Sequence, residues 1–258
     1  MPLPQYLRLV HTMAIMALRA DASKYFLGYV WWVLEPLLYV GVFFVVFNVI
    51  LKSRTEDFLV FLMCGKLAFI WFSKSVFQAS SSIVAAKGLI GKINAPKTLF
   101  PLALIQEGLY RQAAVFSLLF VVLYGYGYAP SASWIWLVPL LLVNYLMIVA
   151  CSFLGACLVC MVRDFSLVIS LGMTFLLFTS GIFWDVNDLA DPQMTQLVLT
   201  VNPVAFILDC YRQILMYQTA PDALHLALLG AVFAALTAVM AVVMHRGSQF
   251  LALKALSS

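Results

Sequence analysis

Charge is scarce in this chain. Asp, Glu, Lys and Arg make up 10% of its 258 residues, against 64% hydrophobic residues, and mean hydropathy is +1.02. A soluble domain carries about a quarter charged residues. So few polar groups cannot cover a water-soluble globule of this size, which excludes soluble classes and leaves a polytopic membrane protein. Signatures of chemistry are missing as well. There is no zinc-ligand spacing and no recognisable catalytic triad, and His11, His225 and His245 lie far apart. The five cysteines fall in or beside apolar runs. Cys157 and Cys160 form a CxxC, but flanks of ACLVCMV, with no second pair, read as helix packing rather than metal or redox chemistry. No cleavable signal peptide is expected, because Arg8, Arg19, Asp21 and Lys24 leave only a short apolar stretch at the start.

What the chain does have is long apolar runs. Six candidate spans lie at about 27–50, 58–83, 100–124, 134–160, 165–184 and 223–244, each near the ~20 residues that cross a bilayer core. The second and fourth are long enough to tilt. With the N-terminus inside, one set of loops holds nine basic residues: Arg8, Arg19, Lys24, Lys87, Lys92, Lys97, Arg163, Arg246 and Lys254. The other set holds Lys52 and Arg54, together with Asp185, Asp188 and Asp191. That asymmetry places both termini in the cytoplasm.

Residues 4–22 are amphipathic. Gln5, Arg8, Thr12 and Arg19 share one helical face, and Leu3, Tyr6, Leu7, Val10, Met13, Ala14, Ala17 and Leu18 the other. The pattern suits a helix in the headgroup layer or one docked on protein. The region 185–217 is too long for a turn and too apolar for an exposed loop. FWDVNDLADP offers helix caps, Pro203 stops one helix, and VAFILDCYRQILMY has helical spacing with Asp209 and Arg212 on one face. The expectation is either two short re-entrant helices or a folded cap outside the membrane.

Charges inside spans are costly, about 2.5–3.5 kcal/mol each at the bilayer centre on insertion scales. Glu35, Lys66, Lys74, Glu107 and Arg111 fall inside or near the edges of spans. Glu107 and Arg111 are spaced to pair on one face, either as a structural pair or as pathway lining. Lys66 and Lys74 point about 80° apart and need not share a face; one or both can snorkel to an interface. Pro36, after Glu35, is expected to kink the first span, and Trp31 and Trp32 sit at its entrance, where aromatic belts form.

The stretch VAAKGLIGKINAPK, residues 84–97, carries three lysines and no acid. It is not a phosphate loop: the Gly88-to-Gly91 gap is too short, and Lys92 is followed by Ile93 rather than Ser or Thr. Its alternation of Leu89, Ile90 and Ile93 with lysines fits either an element that inserts into a partner's groove or a solvated positive loop.

LGYVWWVLEPLL (27–38), SSSIVAAKGLIGKINAPKTLFPLALI (80–105) and NPVAFILDCYRQILM (202–216) resemble the permease subunits of bacterial ABC polysaccharide exporters, which move O-antigen, capsule or teichoic-acid polymers. The resemblance implies an all-α integral membrane fold of the type-2 ABC exporter kind, a single permease domain over 1–258 in the bacterial inner membrane. It implies six transmembrane helices, an N-terminal interfacial helix (4–22) and re-entrant gate helices between spans five and six (186–216). It further implies a second copy of the chain completing a channel, and two copies of a separate ATPase that binds ATP and Mg; this chain binds no cofactor or metal, has no catalytic residue and takes no nucleic acid. Ala86, Lys87, Gly88, Leu89, Ile90, Gly91, Lys92, Ile93, Asn94, Pro96 and Lys97 become the ATPase-docking candidates. Trp31, Trp32, Tyr39, Phe178, Phe183 and Trp184 become candidates for lining the path of a lipid-linked glycan, because sugars stack on aromatic rings. Asp209 and Arg212 fall in the outer gate. The same fold exporting a drug or lipid is a competing reading. A secondary transporter would show two similar halves, and no internal repeat is found.

Overall fold

A computed structural model describes residues 2–50, 57–92 and 95–257, with Phe47, Asn48 and Ser257 described by backbone alone. Lys52, Arg54, Ile93 and Asn94 therefore lie outside what is described. Among the described residues the chain is helical, with no strand.

Helix α1, Leu3–Ala22, starts on Pro2 and Pro4, which suit a helix N-terminus. It buries Val10, Ala14, Leu18 and Ala22, a stripe of four-residue steps, against the start of α6, Leu99–Gly125. The same apolar face continues through Leu7 and Leu3, which are exposed. Protein docking thus accounts for the later part of that face, and its first turn stays uncovered.

The first expected span is one helical run of three pitches. A 3-10 turn at Gly28–Val30 leads into α2, Trp31–Phe44, which contains Pro36, and a π-helical stretch follows at Val45–Ile50. α3, Phe58–Ser80, comes next and is the centre of the molecule. Seventeen of its 23 residues are buried, and α6 and the later helices Leu137–Met161 and Pro203–Leu215 all pack on it. It ends earlier than the expected 58–83: the backbone breaks at Ser81 and two single turns follow, α4 (Ser82–Ala85) and α5 (Lys87–Ile90).

A 3-10 segment, Ala132–Trp136, opens into α7, Leu137–Met161. α8 covers Phe165–Thr179, so the expected 165–184 span is cut short. Ser180–Trp184 turns instead, through Gly181 at φ +70°, a backbone that side chains rarely adopt. α9 (Pro192–Val201) and α10 (Pro203–Leu215) are capped by Asp191 and Asn202 and joined through the single residue Asn202 at a bend of 108°. Pro203 forces that break, since it cannot donate to α9's hydrogen-bond ladder. Eleven of the 13 residues of α10 are buried. α11, Ala223–Arg246, packs mainly on α7. A last helix, α12 (Ser248–Ser257), buries Leu251 and Ala255 against α7 and α5; no expectation from sequence covered it.

Among the described residues four helices are long and apolar enough to cross a membrane, Phe58–Ser80, Leu99–Gly125, Ala132–Met161 and Ala223–Arg246, or five if the bent α9–α10 pair is one span. Gly28–Phe44 and Phe165–Thr179 are apolar but shorter.

Small residues let the helices close on α3. A Cβ at Gly155 of α7 would collide with Ser80 Oγ, and one at Gly108 of α6 would lie 2.6 Å from Ser75 Oγ. Gly155→Ala is expected to destabilise the protein by about 1–3 kcal/mol through overpacking. Ser80→Ala should recover part of that loss in the double variant. Thermal unfolding in detergent, followed by labelling of the buried thiols Cys64, Cys157, Cys160 and Cys210, measures both.

Candidate functional site

The ionisable residues gather in two places. At the α5 end, Arg111 of α6 donates from Nη1 to Asp21 Oδ2 at 3.2 Å and from Nη2 to Glu107. Trp32 Nε1 donates to the same Asp21 oxygen at 3.3 Å, and the Arg111 guanidinium sits 5.8 Å from the Trp32 ring centre. Lys24 lies 3.8 Å from Asp21. One arginine thus ties α1, α2 and α6 together. Glu107 is buried, at 3% exposure, so without Arg111 its charge would have no partner. Beside this cluster Lys74 of α3 meets Glu35 of α2 at 2.7 Å. Trp32, Glu35, Lys74 and Arg111 share a cavity of about 50 Å³. Trp32 therefore serves the helix junction. Trp31 is half-buried and stacks on Tyr25, with ring centres 6.2 Å apart.

At the opposite end α10 carries Arg212 and Asp209, each 1% exposed. Their spacing puts them on one face, but no ion pair joins them. Asp209 accepts from Asn187 Nδ2 at 2.9 Å and from Gln213 Nε2 at 2.6 Å. Arg212 lies over the Phe61 ring at 3.5 Å and donates from Nη2 to the Ile182 carbonyl at 3.2 Å. It fits because residue 65 is glycine: a Cβ there would sit 2.6 Å from Nη2. The Arg212 anchor locks α10 to α3 and to the Ser180–Trp184 turn.

Above this anchor opens a vestibule of about 630 Å³, walled by Phe58, Phe61, Tyr128, Phe183, Trp184 and Tyr217, with Asp185 and Asp188 at its rim. Tyr217 donates to Asp185 at 3.1 Å and Tyr128 to Asp57 at 2.6 Å. Burial first, and the adjoining carboxylates second, push both phenols up to about 12, so they stay protonated donors at neutral pH. The combination of ring faces with fixed hydroxyl and carboxylate groups suits a polyhydroxylated ligand.

The remaining candidates scatter. Phe183 is buried between Phe43 and Phe178, with ring centres 4.6 and 5.8 Å away. Phe178 and Tyr39 are exposed. Trp184 donates to the Phe178 carbonyl at 3.0 Å. Lys66 and Lys74, whose spacing left open whether they share a face, border one groove between α2, α3 and α8. In the lysine-rich stretch, Lys87, Gly88, Leu89, Gly91 and Lys92 are exposed, and Ala86 and Pro96 are half-buried. Ile90 and Lys97 are buried: Ile90 belongs to the core, and Lys97 Nζ donates to the Ala95 carbonyl at 3.2 Å. Burial lowers the Lys97 pKa. Those two side chains turn inward. Tyr128, Tyr217 and Gly65 were missed in the sequence, where each reads as ordinary loop or span composition.

Long apolar helices, with ionisable groups paired or stacked inside the packing, define a polytopic integral membrane protein. The model of one family, described as ABC-2 type transporter, matches residues 17–216, and the chain belongs to that family. It is thus the membrane component of a transporter. It is 28% identical over 195 residues to an O-antigen export system permease protein RfbA of Klebsiella pneumoniae, covering 75% of this chain and 74% of that one. It is 26% identical over 228 residues to the protein of the same name from Myxococcus xanthus, covering 88% of each.

Arg111→Gln is expected to destabilise the protein by about 3 kcal/mol, because it leaves Glu107 buried and unpaired. Adding Glu107→Gln should recover more than half of the loss. Melting temperatures of the wild type and the two variants check this.

Proposed function

We propose that the chain is the permease of a bacterial polysaccharide exporter, carrying a lipid-linked glycan, O-antigen by preference, across the inner membrane with both termini in the cytoplasm. The observation that carries the reading is the family match over 17–216 combined with similarity, over most of the length, to permeases named for O-antigen export. The aromatic vestibule adds support, since its rings and carboxylates are the groups that hold sugars. The mostly exposed helices α8 and α11 leave surface for lipid and for a second copy of the chain.

In this reading two copies form a continuous channel, and two copies of a separate ATPase, which bind ATP and Mg, supply the power stroke. A polymer is too long to be enclosed by a single alternating cavity. The ATPase docks on Lys87, Gly88, Leu89, Gly91 and Lys92, the exposed face of the 86–97 stretch. α12 packs behind that stretch, on α5: Ile90 is buried, and a Cβ at Gly91 would make ordinary van der Waals contact with Leu256 Cδ2, at 3.5 Å. ATP-driven movement of α5 passes to α12 and α7, and through α3 to α10. The bent α9–α10 pair acts as the outer gate, with Arg212 holding it closed on α3 and Asp209 tying it to Asn187.

Leu89→Asp is expected to abolish co-purification of the ATPase encoded alongside while the permease keeps its melting temperature, because Leu89 is exposed. An intact complex with unchanged export would refute the docking face. Trp184→Ala should slow glycan export about tenfold by removing a stacking surface, with the ATPase complex intact. Surface display of the polymer, measured over time, reads the effect, and unchanged display would remove the vestibule from the path.

A further inference from the structure

Two buried donors and one freed acceptor border a single cavity between α2, α3 and α6. Trp71 of α3 is 3% exposed, and its Nε1–H has no acceptor among the described residues. The nitrogen faces Gly108 of α6, where a Cβ would stand 3.9 Å from it, so the absent side chain leaves room in front of the donor. Arg111, almost one turn further along α6, gives Nη1 to Asp21 and Nη2 to Glu107. Its Nε–H is shielded from solvent and is not taken by any described residue. The acceptor comes from Pro36, which lies inside α2. Proline has no N–H, so the Trp32 carbonyl, four residues back, loses its donor in the helical ladder. Trp32, Pro36, Trp71, Gly108 and Arg111 all border the same space of about 50 Å³.

The charges around this space already have partners. Arg111 is answered by two carboxylates and Lys74 by Glu35 at 2.7 Å. An anion would find no spare cation and would meet Glu35 at the wall. A cation would face two N–H donors. An apolar occupant would leave all three polar groups unpaired, which is costly in a buried site. What fits is a small neutral molecule that accepts two hydrogen bonds and donates one. Water does this, and about 10–15 Å³ is enough to hold one molecule.

We infer that this cavity is an internal hydration site, in which bound water accepts from Trp71 Nε1 and Arg111 Nε and donates to the Trp32 carbonyl. The water joins α2 to α3 and α6. Of the 14 residues of α2 only Pro36 and Val40 are buried, so direct packing holds this helix loosely. Its other ties at this end are polar, Trp32 to Asp21 and Glu35 to Lys74. Hydrogen bonds through water re-form after a small displacement, whereas interdigitated side chains resist one. The junction is a wet joint at which α2 shifts without unpacking α3. It depends neither on the cargo nor on the proposed ATPase face.

The test is radiolytic footprinting of the full chain in phosphatidylcholine nanodiscs. X-ray pulses make hydroxyl radicals from water held in place, and mass spectrometry locates the oxidised side chains. Corrected for intrinsic reactivity, Trp71 should be oxidised about tenfold faster than Met63 and Phe72, because only it touches bound water; those two are equally buried. Val115 is buried and borders the cavity, so Val115→Met should fill the space and bring Trp71 down to their rate. Val115→Leu, a smaller filling, makes the same test if methionine is not accommodated. Oxidation of Trp71 no faster than that of Met63 and Phe72 would overturn the site. So would unchanged oxidation in the filled variants, which would mean that the radicals arrive from bulk solvent. Amide hydrogen exchange along α2 should slow when the cavity is filled, and equal or faster exchange would overturn the joint.

Discussion

The fold depends on close packing around one buried helix. α3 is enclosed along nearly its whole length, and the helices around it approach where a side chain has been given up: Gly108 against Ser75, Gly155 against Ser80, and Gly65 beneath the guanidinium of Arg212. In a bilayer the lipid is as apolar as leucine, so burying leucine offers little drive for helix association. Contact distance and satisfied polar groups must supply it. The glycine at 65 does both at once, because the space it leaves is filled by an arginine whose donors reach the Ile182 and Phe61 carbonyls at 3.2 and 3.5 Å.

The two ends of the molecule solve the problem of intramembrane charge differently. At the α5 end, opposite charges meet: Arg111 with Asp21 and Glu107, and Lys74 with Glu35. These pairs join α1, α2, α3 and α6, the elements that flank the proposed ATPase face. At the α10 end, charge is held by neutral partners. Arg212 rests on a ring and on carbonyls, and Asp209 on two amides. Contacts of this second kind can be exchanged for others of similar strength without stranding an ion pair, which is compatible with the proposed outer gate. Lys66, with rings alone around it, belongs to neither pattern.

Much of this was legible in the residues. The scarcity of charge set the membrane class, Pro203 after Asn202 set the break between α9 and α10, and the four-residue spacing of Glu107 and Arg111 matches the pairing observed. Other features were not. The 58–83 run is uniformly apolar, so nothing in its composition marks the break at Ser81. The same holds for 180–184, where the turn depends on Gly181 taking a positive φ. α12 is weakly patterned and is held by Leu251 and Ala255 packing on distant helices. Ile90 and Lys97 read as exposed because their neighbours are lysines and glycines, yet both are covered in the folded chain.

Taken alone, the sequence determined what is local or additive: total hydropathy, the placement of apolar runs, caps, prolines and charge spacing along one helix. Which side chains meet was decided only by tertiary structure. That Asp209 and Arg212 share a face yet do not pair, that Lys66 and Lys74 share a groove, and that Tyr128 and Tyr217 complete an aromatic vestibule all depend on residues far apart in the chain. Periodicity tells which face a residue occupies, but not which helix lies against it. That second fact is set by close fit, and here the fit is decided at a few glycines.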